Sequence, residues 1–325
     1  MGFPGTLGPL TPGILFCRIL ILLVALAPQA AAAEPLRVLS QNMNRLFDDI
    51  DDGNNERVLS SGRFQNRVTV AAKKFGEHFG LPHIIALQEV ENLNVLQQIA
   101  AEIQRRYAAR YRLVLIPGQD ISGINLGFLV RYGIEIRKVD QLFRDSTVEP
   151  GGAPLFARPP LYLEACYIEN CLTLVNLHLR SMRGIDSRSD GDRVRRKRLL
   201  QAEAIASWSN RLQRSQPAHS LLILGDLNAL TPGDEHVDVV GIIRGNPDNS
   251  RARLQGRDLV EPDLVDLTGL IPAEKRYSFI FRRQKQQLDY MLVNDAFGAD
   301  VEVIAFSGID THFSDHAGLL AWFSW

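Results

Sequence analysis

Apolar runs that end in polar, chemistry-bearing residues constrain this chain most. Ile84-Ile85-Ala86-Leu87 ends in Gln88-Glu89, and Leu222-Ile223-Leu224 ends in Gly225-Asp226-Leu227-Asn228. Leu174-Val175-Asn176-Leu177 ends in His178, and the strand-like Leu36 to Gln41 is followed by Asn42. Leu288-Asp289-Tyr290-Met291-Leu292 holds a carboxylate inside its run, and Ser314-Asp315-His316 precedes the last run. Continuous apolar runs of this length read as strands buried on both faces. A buried charge needs a partner or a metal. One such residue would be an ion pair or a loop cap. Six at strand ends imply a shared cleft, because strands of one sheet system bring their ends together.

Further strands are expected at residues 112–116, 126–130, 277–281, 301–306 and 318–323. Helical spacing covers Asn66 to Phe79, Val95 to Tyr107 and Val194 to Leu212. In the last of these, Leu199, Ala202, Ile205, Ala206 and Trp208 make one apolar stripe. Strands outnumber helices. The economical architecture is α/β: two packed mixed β-sheets flanked by helices, a four-layer sandwich. Hydrophobic content of 46% with 22% charged residues suits a globular domain.

The N-terminus reads differently. Arg18 precedes the nine-residue apolar stretch Ile19 to Ala27, and Ala30-Ala31-Ala32-Ala33 follows. That order is a secretory signal peptide over residues 1–33, and the stretch is far short of the ~20 residues a membrane span requires. A single domain over residues 34–325, secreted or periplasmic, is expected. It should be a monomer without stable membrane association after cleavage. Cys166 and Cys171 flank an Ile-Glu-Asn turn between two strand-like runs, so an oxidised hairpin is favoured over two free thiols.

Glu89, Asp226 and Asp315 are hard oxygen donors, suited to Mg²⁺. Asp226 and Asn228 are two apart and would share a face in extended chain, whereas Asp315 and His316 face apart. Three pieces occur in a telling order: Leu87-Gln88-Glu89-Val90-Glu91-Asn92, Gly225-Asp226-Leu227-Asn228 and Ser314-Asp315-His316. Together they resemble the endonuclease/exonuclease/phosphatase superfamily, the deoxyribonuclease I-like proteins. Asp120-Ile121-Ser122-Gly123-Ile124-Asn125, followed by Phe128-Leu129-Val130, resembles its secreted bacterial nuclease branch.

The resemblance implies hydrolysis of a phosphodiester by direct attack of water. It places Mg²⁺ on Glu89, with Mn²⁺ or Ca²⁺ as alternatives, Asn42 beside it and Asp315 near the metal. It makes His316 the general base and Asp289 its orienting partner. Asp226 and Asn228 would position water and phosphoryl group, and His178 would donate to a phosphate oxygen. Whether His316 or Asp226 is the base stays open at this level.

The substrate is the softer reading. Net charge is −1, so any basic surface must be local. Arg180 to Arg198 holds eight Lys/Arg against three Asp, which nominates Arg180, Arg195 and Arg196 as nucleic-acid contacts. A solvated helix face is the bland alternative. Arg282-Arg283-Gln284-Lys285 is a basic hairpin tip near Asp289. No exposed aromatic or apolar hairpin is evident that would dip into a bilayer. The expected partner is therefore nucleic acid, DNA rather than RNA. The alternatives are a phosphodiesterase acting on phospholipid headgroups or small phosphate esters, and an inactive binding module. His78, His83, His219 and His236 read as solvated, and His312 as a loop residue. The stretch 49–55 lacks the twelfth-position Glu of an EF-hand, so no Ca²⁺ is expected there.

Overall fold

The computed structural model describes residues 1–2, 34–53, 56–230 and 233–325. The chain divides into two units, Met1–Ala33 and Glu34–Trp325, and the second carries every element named here. The leader expected over residues 1–33 lies outside the described residues, apart from Met1 and Gly2.

The chain begins β1 (Leu36–Leu46), α1 (Ser61–Lys73), β2 (Ile84–Val90), α2 (Leu93–Tyr107), β3 (Tyr111–Leu115) and β4 (Asn125–Arg131). It continues β5 (Glu135–Gln141), β6 (Leu161–Tyr167), β7 (Asn170–His178), α3 (Gly191–Ser215), β8 (Ser220–Asp226) and α4 (Val239–Arg244). It ends β9 (Val265–Asp266), β10 (Phe279–Phe281), β11 (Gln284–Gln286), β12 (Asp289–Val293), β13 (Asp300–Phe306) and β14 (Leu319–Ser324). Two six-stranded sheets result, ordered β13-β14-β1-β2-β4-β3 and β5-β6-β7-β8-β12-β9. Both are mixed: β1 and β2 run parallel, as do β7 and β8, within otherwise antiparallel ladders.

The apolar runs explain the layering. Leu36, Val38, Ile84 and Phe128 from one sheet meet Leu163, Leu174, Leu222 and Met291 from the other in a fully buried layer. The opposite faces pack on helices. Leu39, Ile85 and Leu129 lie against Phe64 and Val68 of α1 and Leu96 and Ile99 of α2. Val175, Leu177 and Ile223 lie against Ala202, Ile205 and Ala206 of α3. Strands with both faces covered are continuously apolar, which is the pattern the sequence carried. No described helix is long and apolar enough to cross a membrane.

Several boundaries shift. The first helix starts at Ser61, ahead of the expected Asn66, and runs on through a π-turn at Lys74–His78. β5 is unanticipated; it is a largely exposed edge strand, Glu-Ile-Arg-Lys-Val-Asp-Gln, with little apolar signal. The last apolar runs are strands where expected, but residues 277–281 shrink to β10 of a separate two-stranded ribbon. Cys166 and Cys171 face each other across the β6–β7 ladder and form a disulfide. His83 is not solvated. It is buried, its Nδ1 accepts from the Arg37 amide, and burial lowers it to about 4.

Candidate active site

Four strand ends meet at one rim of the sandwich. The first is the end of β1, where register slips between Asn42 and Leu46 and the backbone turns left-handed at Asn44 and Arg45. Arg67 of α1 holds this irregular turn by donating to the carbonyls of Met43, Asn44 and Arg45. The second is Glu89 in β2, with φ +58° at a matching register shift, so its carboxylate leaves the pleat and reaches the rim. The third and fourth are His178 and Asp226, directly opposed in the parallel β7–β8 pair. Gly225 is required immediately before Asp226, opposite Leu177. Its φ is +131°, and a Cβ there would collide with the Leu177 backbone.

The side chains converge. Asn42 Nδ2 donates to Glu89 Oε1 at 3.2 Å and to Asp226 Oδ2 at 3.0 Å. The Arg45 amide donates to Glu89 Oε2 at 2.9 Å. His178 Nε2 lies 3.7 Å from Glu89 Oε1 and 3.5 Å from Asp226 Oδ2. His316 Nδ1 lies 2.7 Å from Asp289 Oδ2, and its Nε2 is 3.9 Å from Asp226 Oδ2. The Asn228 amide donates to Asp226 Oδ1 at 2.8 Å, and the Asn228 side chain is tied back to Leu179 O. Asp289, Asp226, His178, Asn42 and His316 are all buried.

Burial and neighbouring charge set the protonation. Burial raises the Asp226 carboxyl well above its usual range, opposed by His316 and helped by Asp289 and Glu89. Burial alone would lower His316, but Asp289, then Asp226 and Asp315, outweigh it and hold the imidazole at about 10. Burial, with Arg158 and His316 nearby, drives His178 well below its usual value, so it is a neutral ring.

The donor set fits a divalent cation. Glu89, His178 and Asp226 each offer a ligand atom, and these lie within 4.8 Å of one another. The two carboxylates share one Asn42 amide, a neutral group that brings them together without adding positive charge between them. Asp315 falls outside this cluster; its carboxylate acts on His316 and Arg67 from a distance.

Of the three arginines nominated for substrate, only Arg180 lies at the rim, in a cleft next to His178. Arg195 is buried and donates to the Ile185 carbonyl and to Asp192. Arg196 is exposed and pairs with Glu149 at 3.3 Å, outside the cleft. Helical periodicity turns the basic run's members to different faces, so Arg195 and Arg196 lie away from the cleft that Arg180 lines. The β10–β11 ribbon corrects an expectation. Ile280 and Phe281 are about half exposed on it, beside Arg282, Arg283 and Lys285, so an apolar, basic hairpin does stand at the site. Its Phe279 packs on the His316 ring at 5.0 Å between centroids.

Other contributors carried only a faint signal, as polar letters in apolar runs. Gln88 and Asn176 are fully buried and joined at 2.7 Å, and Asn176 donates to Leu87 O and Gly127 O. They tie the two sheets together directly behind Glu89 and His178. Ser314 Oγ donates to Asn42 O and accepts from the His316 amide. Ser278 Oγ accepts from the Asp289 amide.

No family model and no curated protein matches the sequence. Solved structures do. A truncated Caenorhabditis elegans TDP2 is 17% identical, with TM-score 0.58 over 90% of this chain and 98% of that one. D. rerio TDP2 complexed with a single-strand DNA product is 15% identical, with TM-score 0.58 over 90% and 99%. An endonuclease/exonuclease/phosphatase from Bacteroides vulgatus is 14% identical, with TM-score 0.57 over 90% and 99%. Layer order, sheet composition and these matches agree: the chain has the deoxyribonuclease I-like fold of the endonuclease/exonuclease/phosphatase proteins.

Proposed function

We propose that this chain is a divalent-cation-dependent phosphodiesterase that cleaves nucleic-acid strands outside the cytoplasm. One observation carries the reading: Glu89, His178 and Asp226 form a cation-sized cluster, and the His316–Asp289 pair stands across Asp226 from it. A divalent cation held by Glu89 and Asp226, with Asn42 beside them, supplies charge neutralisation for the phosphate oxygens. Mg²⁺ suits the oxygen donors best.

The chain's own groups do the rest. Asp289 fixes the His316 ring through Nδ1 and leaves Nε2 facing the cleft. His316 Nε2, beside Asp226, is the group placed to take a proton from the attacking water, and a cation that offset the Asp226 charge would lower the ring's hold on its own proton, which Asp289 raises most. Asp289 then stabilises the imidazolium. Asn228 holds Asp226 in place through its amide. His178 Nε2 faces Glu89 and Asp226 and has one role at a time: a ligand to the cation or, carrying its hydrogen, a donor to a non-bridging phosphate oxygen as charge builds there. Intact acid–base and cation-binding groups argue against an inactive binding module. Export is supported by the leader pattern at residues 1–33 and by the Cys166–Cys171 disulfide, a bond that persists in oxidising compartments.

A second reading has its own observation. The exposed Ile280 and Phe281 on a cationic ribbon would also suit a phospholipid surface. One experiment separates the two. Purified protein is incubated with supercoiled plasmid and, separately, with sphingomyelin vesicles, each with Mg²⁺ and with EDTA. We expect nicking that EDTA abolishes and that His316→Ala slows by about 10²–10⁴-fold. Vesicle hydrolysis without nicking would replace the nuclease reading with the lipid one.

A further inference from the structure

Beside His178 lies a cleft of 630 Å³ whose walls include four cationic side chains, Arg158, Arg180, Arg183 and Lys197. The chemistry described above involves none of them. Arg158 is fixed to the strand end that carries His178: its Nε donates to His178 O and its Nη2 to Leu179 O, both at 3.1 Å. Arg180 is oriented by Ser181 and by the Arg183 carbonyl. Lys197 Nζ, in the first half of α3, donates to the Pro154 carbonyl at 2.7 Å.

Apart from Asp120, these partners are neutral acceptors that orient a cation without offsetting its charge. Asp120 is taken by Arg158 and by Ser122. The remaining positive charge is crowded: burial and the mutual repulsion of Arg158, Arg180 and Arg193 push both Arg180 and Lys197 down. Oriented, incompletely compensated cations around a half-buried cleft are complementary to an anion.

We infer that this cleft is a second phosphate subsite, which takes a non-scissile phosphate of the bound strand while the scissile one lies at Glu89 and Asp226. The inference rests on the nucleic-acid reading and deepens it. A substrate would then need at least two phosphates in register, which favours strands over single phosphate esters. Arg158, Arg183 and Lys197 become strand-positioning residues alongside Arg180.

Binding without turnover tests this. Fluorescence anisotropy of a labelled single-stranded oligonucleotide is measured in EDTA between 50 and 200 mM salt. The double variant Arg183→Gln/Lys197→Gln is compared with Arg211→Gln/Arg214→Gln, which removes the same charge from the exposed far end of α3. We expect the cleft variant to bind about tenfold more weakly, with a salt slope shallower by about one, as loss of a phosphate contact requires. The distal variant should bind within about twofold of wild type. Equal losses in both would overturn the subsite, leaving only diffuse attraction. Unaltered binding in both would overturn it as well. Single Lys197→Gln serves if the double variant does not fold. Cleft-dependent binding by a wild type that never nicks plasmid would leave the subsite standing and sink the hydrolytic reading instead.

Discussion

His316 is the residue on which chemistry and stability meet. Its ring is buried, yet three carboxylates hold it protonated to about pH 10, against 6.5 for an ordinary histidine. Between those values the folded chain binds a proton that the unfolded chain has released. By linkage, stability falls as pH rises wherever the folded state binds more protons. The His316 contribution is therefore complete below about pH 6.5 and lost as pH climbs through about 10. Without divalent cation, the melting temperature of wild type should drop between pH 7 and 10, and His316→Gln should flatten that drop. Identical slopes in the two proteins would show that the ring is not held charged. In the hydrolytic assay with cation, His316→Ala should lose about 10²–10⁴-fold in rate, the usual worth of a positioned acid–base group.

α3 shows how one stretch of sequence serves two ends. Its basic run supplies Lys197 to the cleft wall, whereas Arg198 goes inward. Arg198 is 1% exposed, pairs with Asp234 at 3.0 Å and donates to the carbonyls of Arg180 and Asn228. It thereby holds the loop that follows β8. Removing one partner of a buried pair leaves a charge uncompensated, at a cost of about 3–5 kcal/mol. Arg198→Leu should lower the urea midpoint accordingly, whereas exposed Arg196→Ala should stay within about 0.5 kcal/mol. Chemical denaturation of both variants checks the contrast. The sequence alone did not separate these two arginines, because the partner of Arg198 lies 36 residues on. What was legible followed from local periodicity: three helices, the buried strands, and the polar residues at their ends. What was not legible depended on sheet order or exposure. β5 is a polar edge strand, the half-exposed faces of β10 appear only once the ribbon is formed, and Gln88 and Asn176 looked like interruptions until two sheets met around them.

At the scale of the molecule, the site spans the seam between the sheets. Glu89 and Asn42 come from one sheet, and His178, Asp226 and Asp289 from the other. Behind them the Gln88–Asn176 amide pair fixes the separation of the two rims. A cation bound at Glu89 and Asp226 would therefore bridge both halves of the sandwich and stabilise the whole domain. A ligand that binds only the folded state adds RT ln(1 + [L]/Kd), about 2.7 kcal/mol at a hundred times Kd. For a domain of this size that is roughly 5–10 °C in melting temperature. Because burial penalises ionised Asp226, and a cation offsets that charge, the gain from Mg²⁺ should grow as pH rises from 5 to 8. Calorimetry with Mg²⁺ against EDTA measures this without any substrate. Glu89→Gln should abolish the shift while leaving the fold intact, since the β2 ladder is carried by its neighbours Gln88 and Val90 rather than by the carboxylate. An unaltered shift in Glu89→Gln would place the cation elsewhere on the domain.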